Sequence, residues 1–61
     1  MAAEMSAAEQ NCWEIGRADG CAGALSEPNK VVDSIDLPDE AARYRAAYRK
    51  GYVAGRREAR V

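Results

Sequence analysis

All five glycines of this chain fall in two short clusters that share one spacing, Gly16-x-x-x-Gly20 with Gly23 just after, and Gly51-x-x-x-Gly55. A glycine inside a helix costs about 1 kcal/mol relative to alanine, so two pairs at helical spacing need a compensating gain. Residues four apart lie on one side of a helix, and each pair therefore cuts a notch that another helix can enter. The pattern predicts two helices whose backbones approach closely.

The clusters lie 35 positions apart, and at that offset Cys12-Trp13-Glu14-Ile15-Gly16 aligns with Ala47-Tyr48-Arg49-Lys50-Gly51. Small residues meet small ones and Trp13 meets Tyr48. The flanking charges do not match, so the repeat is one of backbone geometry and not of surface.

The boundaries follow from local chemistry. Ser6-Ala7-Ala8-Glu9 has the form of a capping box, and Gly23 is a natural stop, which places a first helix at about 6–24. On its wheel Met5, Ala8, Cys12, Trp13, Ile15, Gly16, Gly20 and Gly23 share one half, with Gln10, Glu14, Arg17, Ala18 and Cys21 opposite. Asp19 points into the apolar half and needs a cation, for which the arginines of the second helix are the candidates. A connection follows over 25–37. It holds the turn residues Ser26-Glu27-Pro28-Asn29, then Val31 to Ile35 as a turn or short helix, since a lone strand would have no partner. A second helix runs from about 38 to 60, with Pro38 in its first turn, Asp39 and Glu40 at its positive end and Arg56, Arg57 and Arg60 at its negative end. The expected fold is all-α, a two-helix antiparallel hairpin with a glycine-notched interface, forming one small domain over 1–61. Tyr44, Tyr48 and Tyr52 repeat every four residues on the inward arc and read as core, with hydroxyls at the rim.

A chain of 61 residues buries little surface, which leaves little room for an enclosed pocket and favours work on the outside. There is no His, so acid–base catalysis near neutral pH would need a strongly shifted group, and no enzyme or cofactor is expected. Cys12 and Cys21, nine apart, fall on different sides of a continuous helix and should stay reduced, with Cys12 as a small core residue. Met1 to Ser6 lacks a basic end and an apolar run, and no window resembles a membrane span, so a cytoplasmic protein is expected.

The net charge of −1 conceals a split. Residues 1–40 carry nine acids against Arg17 and Lys30, a balance of −7, while residues 41–61 carry seven bases against Glu58, a balance of +6. Two binding surfaces compete. Glu27, Asp33, Asp36, Asp39 and Glu40 form an acidic patch around the connection, suited to the basic cleft of a nucleic-acid-binding complex. Arg45, Arg49, Arg56 and Arg60 form a stripe opposite the tyrosines, the footprint expected for phosphate.

Ile15-Gly16-Arg17-Ala18-Asp19-Gly20-Cys21-Ala22-Gly23, then Pro28, then Tyr48-Arg49-Lys50-Gly51-Tyr52-Val53-Ala54-Gly55-Arg56-Arg57-Glu58-Ala59 resembles the ribosome modulation factor family. The resemblance implies a two-helix hairpin in which Gly16, Gly20, Gly23, Gly51 and Gly55 are scaffold positions. It also implies a ribosome-associated modulator, whose contact with ribosomal RNA would fall here to the arginine stripe. In size, acidity and lack of a catalytic constellation the chain is also similar in kind to phage inhibitors such as anti-CRISPR proteins. That likeness implies stoichiometric binding through the acidic patch to a complex such as a CRISPR effector.

Overall fold

The computed structural model describes residues 6–32 and 38–60. Helix α1 spans Ala7–Ala22, a single 3-10 turn spans Pro28–Val31, and helix α2 spans Pro38–Ala59. The capping box forms as the sequence indicates: the Ser6 hydroxyl oxygen accepts from the Glu9 amide at 3.2 Å, and the Glu9 carboxylate accepts from the Ser6 amide at 3.3 Å. At the other end Gly23 takes φ 73°, a left-handed conformation that glycine reaches without a Cβ penalty. Its amide donates to the Gly20 carbonyl at 3.2 Å, and the Ala24 amide donates to Asp19 at 2.9 Å, which satisfies two of the helix's last carbonyls. Among its described residues the connection makes a helical turn and no strand. That turn spans Pro28–Val31, and of the expected Val31 to Ile35 segment residues 33–35 lie outside the described residues.

α1 and α2 pack directly on one another, and the glycines make this possible. A Cβ built on Gly16 would lie 2.9 Å from the Tyr48 carbonyl carbon and closer still to its oxygen. Gly20 meets the Tyr52 carbonyl in the same way, Gly51 meets that of Trp13, and Gly55 meets that of Arg17. Where a side chain would stand, each glycine presents a Cα–H to a carbonyl oxygen of the other helix, a contact worth about 0.5–1 kcal/mol. Rows of residues four apart interlock on both helices, the arrangement that crosses helix axes at about −50°.

These pairings also fix the direction of the helices. From Gly16 to Gly20 the opposing residues advance from Tyr48 and Tyr52 to Tyr52 and Arg56. Glu9 shares a groove with Arg43 and Lys50, while Gly23 shares a cleft with Ala59 and Arg60. The all-α class, the two packed helices and the notched interface stand. The contacting segments, however, run in the same sense along both helices, and the antiparallel detail of the expectation is corrected here. Fifteen residues, 23–37, separate α1 from α2, a length ample to span α1 again at about 3.3 Å per residue.

The repeat at offset 35 is real in three dimensions. The buried residues of α1 are Cys12, Gly16 and Gly20, and their counterparts Ala47, Gly51 and Gly55 are buried in α2. Trp13 and Arg17 line Gly51 as Tyr48 and Tyr52 line Gly16. The pair is thus related by an approximate two-fold along the common helix direction.

Candidate functional site

The approximate two-fold divides the surface beside the helix contact into two flanks, and residues 27–30 of the connection lie over one of them. On the covered flank Tyr48 is 0 % exposed, the one fully buried large side chain among the described residues. Its hydroxyl does not reach the rim. It donates to Asp19 Oδ2 at 2.5 Å and accepts from the Glu27 amide at 3.1 Å. Lys30 Nζ donates to the same Asp19 oxygen at 2.6 Å, so the cation that Asp19 needs comes from the connection and not from the arginines of α2. The hydrogen bond from Lys30, then that from Tyr48, holds the Asp19 carboxyl below the ordinary aspartate value. Burial and the hydrogen bond to Asp19 push the Tyr48 phenol up. Beside it Tyr52 is half-buried, stacks on Tyr48 at 6.3 Å, and donates to the Ala24 carbonyl at 2.5 Å. Tyr48 is core and Tyr44 and Tyr52 are half-buried, so the ladder is chiefly packing.

The other flank carries Trp13 and Arg17 from α1 and Arg43, Ala46 and Lys50 from α2. Here a groove of about 170 Å³ is lined by Glu9, Arg43, Ala46, Ala47 and Lys50. Trp13 stays half-buried although its two-fold counterpart Tyr48 is fully enclosed. The Arg17 guanidinium lies over the indole at 6.0 Å and is held by Glu58, with N–O distances of 2.7 and 2.6 Å. Neither Arg43 nor Lys50 makes an ion pair among the described residues.

The sequence-derived candidates fare unequally. Within the acidic patch, Asp33 and Asp36 lie outside the described residues, Glu27 and Asp39 are exposed, and Glu40 is half-buried. Asp39 and Glu40 occupy the first turn of α2, where a negative charge complements the helix dipole. Glu27 stands instead over Tyr48, two turns further along α2, so the described acids do not form one compact surface. The four arginines of the stripe all lie among the described residues. Arg49, Arg56 and Arg60 are exposed and Arg45 is half-buried; Arg45, Arg49 and Arg56 lie on α2 and Arg60 directly follows its end. Arg56 also lies over the Tyr52 ring at 5.9 Å, and with Arg60 it borders a cleft of about 250 Å³ beside the last turn of α1.

The acidic and basic halves do not neutralise one another across the contact. Among the described residues the two ion pairs are Arg17–Glu58 and Lys30–Asp19. The first joins a base of the acidic half to the sole acid of the basic half, and the second lies within the acidic half. The five arginines of α2, Arg60 just beyond it, and Lys50 have no carboxylate of the described residues within ion-pair distance.

Cys12 is buried beside the notch, and burial raises its thiol pKa. Cys21 is exposed, but its thiol donates to the Gly55 carbonyl at 3.4 Å, which places it at the interface edge and not on the far polar side. Among the described residues no helix is long and apolar enough to cross a membrane.

Comparison with known proteins gives no match to a family model, to a curated protein or to a solved structure.

Proposed function

We propose that this chain is a non-enzymatic binding protein that modulates an RNA-containing assembly by laying the outer face of α2 along the phosphate backbone. One observation carries the reading: the arginine stripe of Arg45, Arg49 and Arg56 along α2, with Arg60 directly after it, has no carboxylate partner among the described residues. Unpaired guanidiniums in one line are suited to phosphates, because each contact releases a counterion that a preformed ion pair would not release. The likeness in motif to ribosome modulators agrees with this choice of partner. The helix is stiffened by its contact with α1, so its guanidiniums need little ordering on binding.

The competing reading is a phage-type inhibitor that docks its acids on a nucleic-acid-binding complex. It calls on Glu27, Asp33, Asp36, Asp39 and Glu40 and leaves the arginines idle. A gel shift with structured RNA over a salt series separates the two. The parent should bind with a log–log salt slope of about −0.7 to −0.9 per phosphate contacted, and the Arg45→Ala, Arg49→Ala, Arg56→Ala triple variant should lose most of that slope. Reversal of Asp39 and Glu40 to lysine should leave RNA affinity undiminished. If the parent shows no salt-dependent RNA binding, the arginine reading fails.

A further inference from the structure

We infer that residues 24–32 form a strap that opens as a unit while the helix pair stays together, with Lys30 as its catch, and that opening bares the Tyr48 ring. This inference is independent of the RNA reading above. The helix contact is made by backbone at Gly16, Gly20, Gly51 and Gly55, and the nearest atoms at those four positions all belong to α1 and α2. The strap is attached separately. The Tyr52 hydroxyl donates to the Ala24 carbonyl at 2.5 Å, the Glu27 amide donates to the Tyr48 hydroxyl at 3.1 Å, and Lys30 Nζ donates to Asp19 Oδ2 at 2.6 Å. Each of these fastenings is polar.

Apolar burial adds little to them. No residue of 24–32 is buried, Leu25 is 81 % exposed, and Pro28, Val31 and Val32 are the half-buried ones. A hydrogen bond broken in water is replaced by one to water, so its net contribution is modest, whereas parting the helices would give up the close packing along both. A segment held by a few polar bonds therefore opens at lower free energy than the packed elements beneath it. Gly23 supplies the hinge. It stands at φ 73° with nothing within 4 Å of the place a Cβ would occupy, so the chain can turn there without a clash. Lys30 is the fastening most open to change. Its side chain is 40 % exposed, and among the described residues it is the one cation paired with Asp19, whose own side chain is 18 % exposed. Without that ammonium the carboxylate keeps only the Tyr48 hydroxyl, and lifting the strap brings water to it. Lys30 Nζ also lies 5.8 Å from the centre of the Tyr48 ring. An open strap uncovers that ring beside Tyr52, which carries Arg56 over its own.

Acetylation by N-acetylimidazole reads the opening, because a phenol reacts only when the reagent reaches it. The whole chain is modified at neutral pH, and the rate at each of its three tyrosines is followed by mass spectrometry. Tyr44, half-buried on the same helix and with no hydrogen bond to the strap among the described residues, is the internal reference. In the parent Tyr48 should react slowest. Lys30→Met, which changes an exposed side chain and keeps its apolar stem, should raise the Tyr48 rate about tenfold, with the Tyr44 rate and the helical circular dichroism signal unchanged. Lys50→Met removes a lysine with no ion pair among the described residues and should alter neither rate. A rise at Tyr44 and Tyr48 alike in Lys30→Met would mean that strap and helices open as one, which overturns the inference. No rise at Tyr48, or an equal rise in Lys50→Met, would overturn it too, since Lys30 would then not be the catch. The assay contains no RNA, so its failure leaves the arginine stripe to be judged by the gel shift.

Discussion

A methyl group is the smallest change that tests the helix contact. Gly16, Gly20, Gly51 and Gly55 each face backbone carbonyls that cannot rotate away, so alanine at any of them must push the helices apart. Overpacking of this kind costs about 1–3 kcal/mol, which outweighs the gain of about 1 kcal/mol in helix propensity at the upper end of that range. Gly16→Ala or Gly51→Ala is therefore expected to melt below the parent in thermal circular dichroism, and a rise for both would contradict the close contact. Asp19 is tested by pH. Its carboxyl is held below its unfolded value, so its stabilisation is fully present above about pH 4 and is lost as pH falls through the folded value. Asp19→Asn should melt lower than the parent at neutral pH but show a shallower fall on acidification below about pH 4. Glu58, also lowered by its bond to Arg17, will leave a residual slope. An acid limb as steep as the parent's would show that the Lys30–Asp19–Tyr48 cluster does not hold the connection.

For the two helices as elements, the new content is their sense. Ala22 and Ala59 border one cleft, so Ala22→Cys with Ala59→Cys should be joined by a short bis-maleimide once Cys12 and Cys21 are replaced. Ala22→Cys with Asp39→Cys, the pair that a hairpin would bring together, should not. The reverse pattern, read by mass spectrometry, would restore the hairpin. The helix ends were legible in the sequence because they are set locally, by Ser6 with Glu9, by Gly23 and by Pro38. The notch was legible because only close approach offsets four interior glycines. The sense was not, since glycines four apart fit a partner running either way, and a two-fold can relate the copies in both cases. Only the pairing of Gly16 with Tyr48 and Tyr52, and not with Arg56 and beyond, decides it. Of the candidate surfaces, the arginine stripe could be counted off the wheel of α2. The groove of Glu9, Arg43 and Lys50 could not, because knowing which part of α1 meets Lys50 requires that sense. Asp19 was recognisable as a misplaced charge, but its partner Lys30 depended on how the connection folds over Tyr48.

Over the whole molecule, the shared sense gathers like ends together. Glu9, Asp39 and Glu40 stand in the two first turns, and Arg56 and Arg57 stand in the last turn of α2 beside an α1 terminus with no base of its own. Each helix dipole is thereby complemented, which offsets the cost of laying two dipoles side by side. The same arrangement also governs how the chain must find its fold. In a hairpin the contacts nearest the turn close short loops, and the pair can zip outward from them. Here every glycine contact joins residues 32 to 38 positions apart, so no early contact is cheaper than a later one. The search for the native pairing has no starting end. Both helices must meet along their whole contact in one event, and an all-helical chain of this size should fold with the single, slow step more often seen where distant strands must pair.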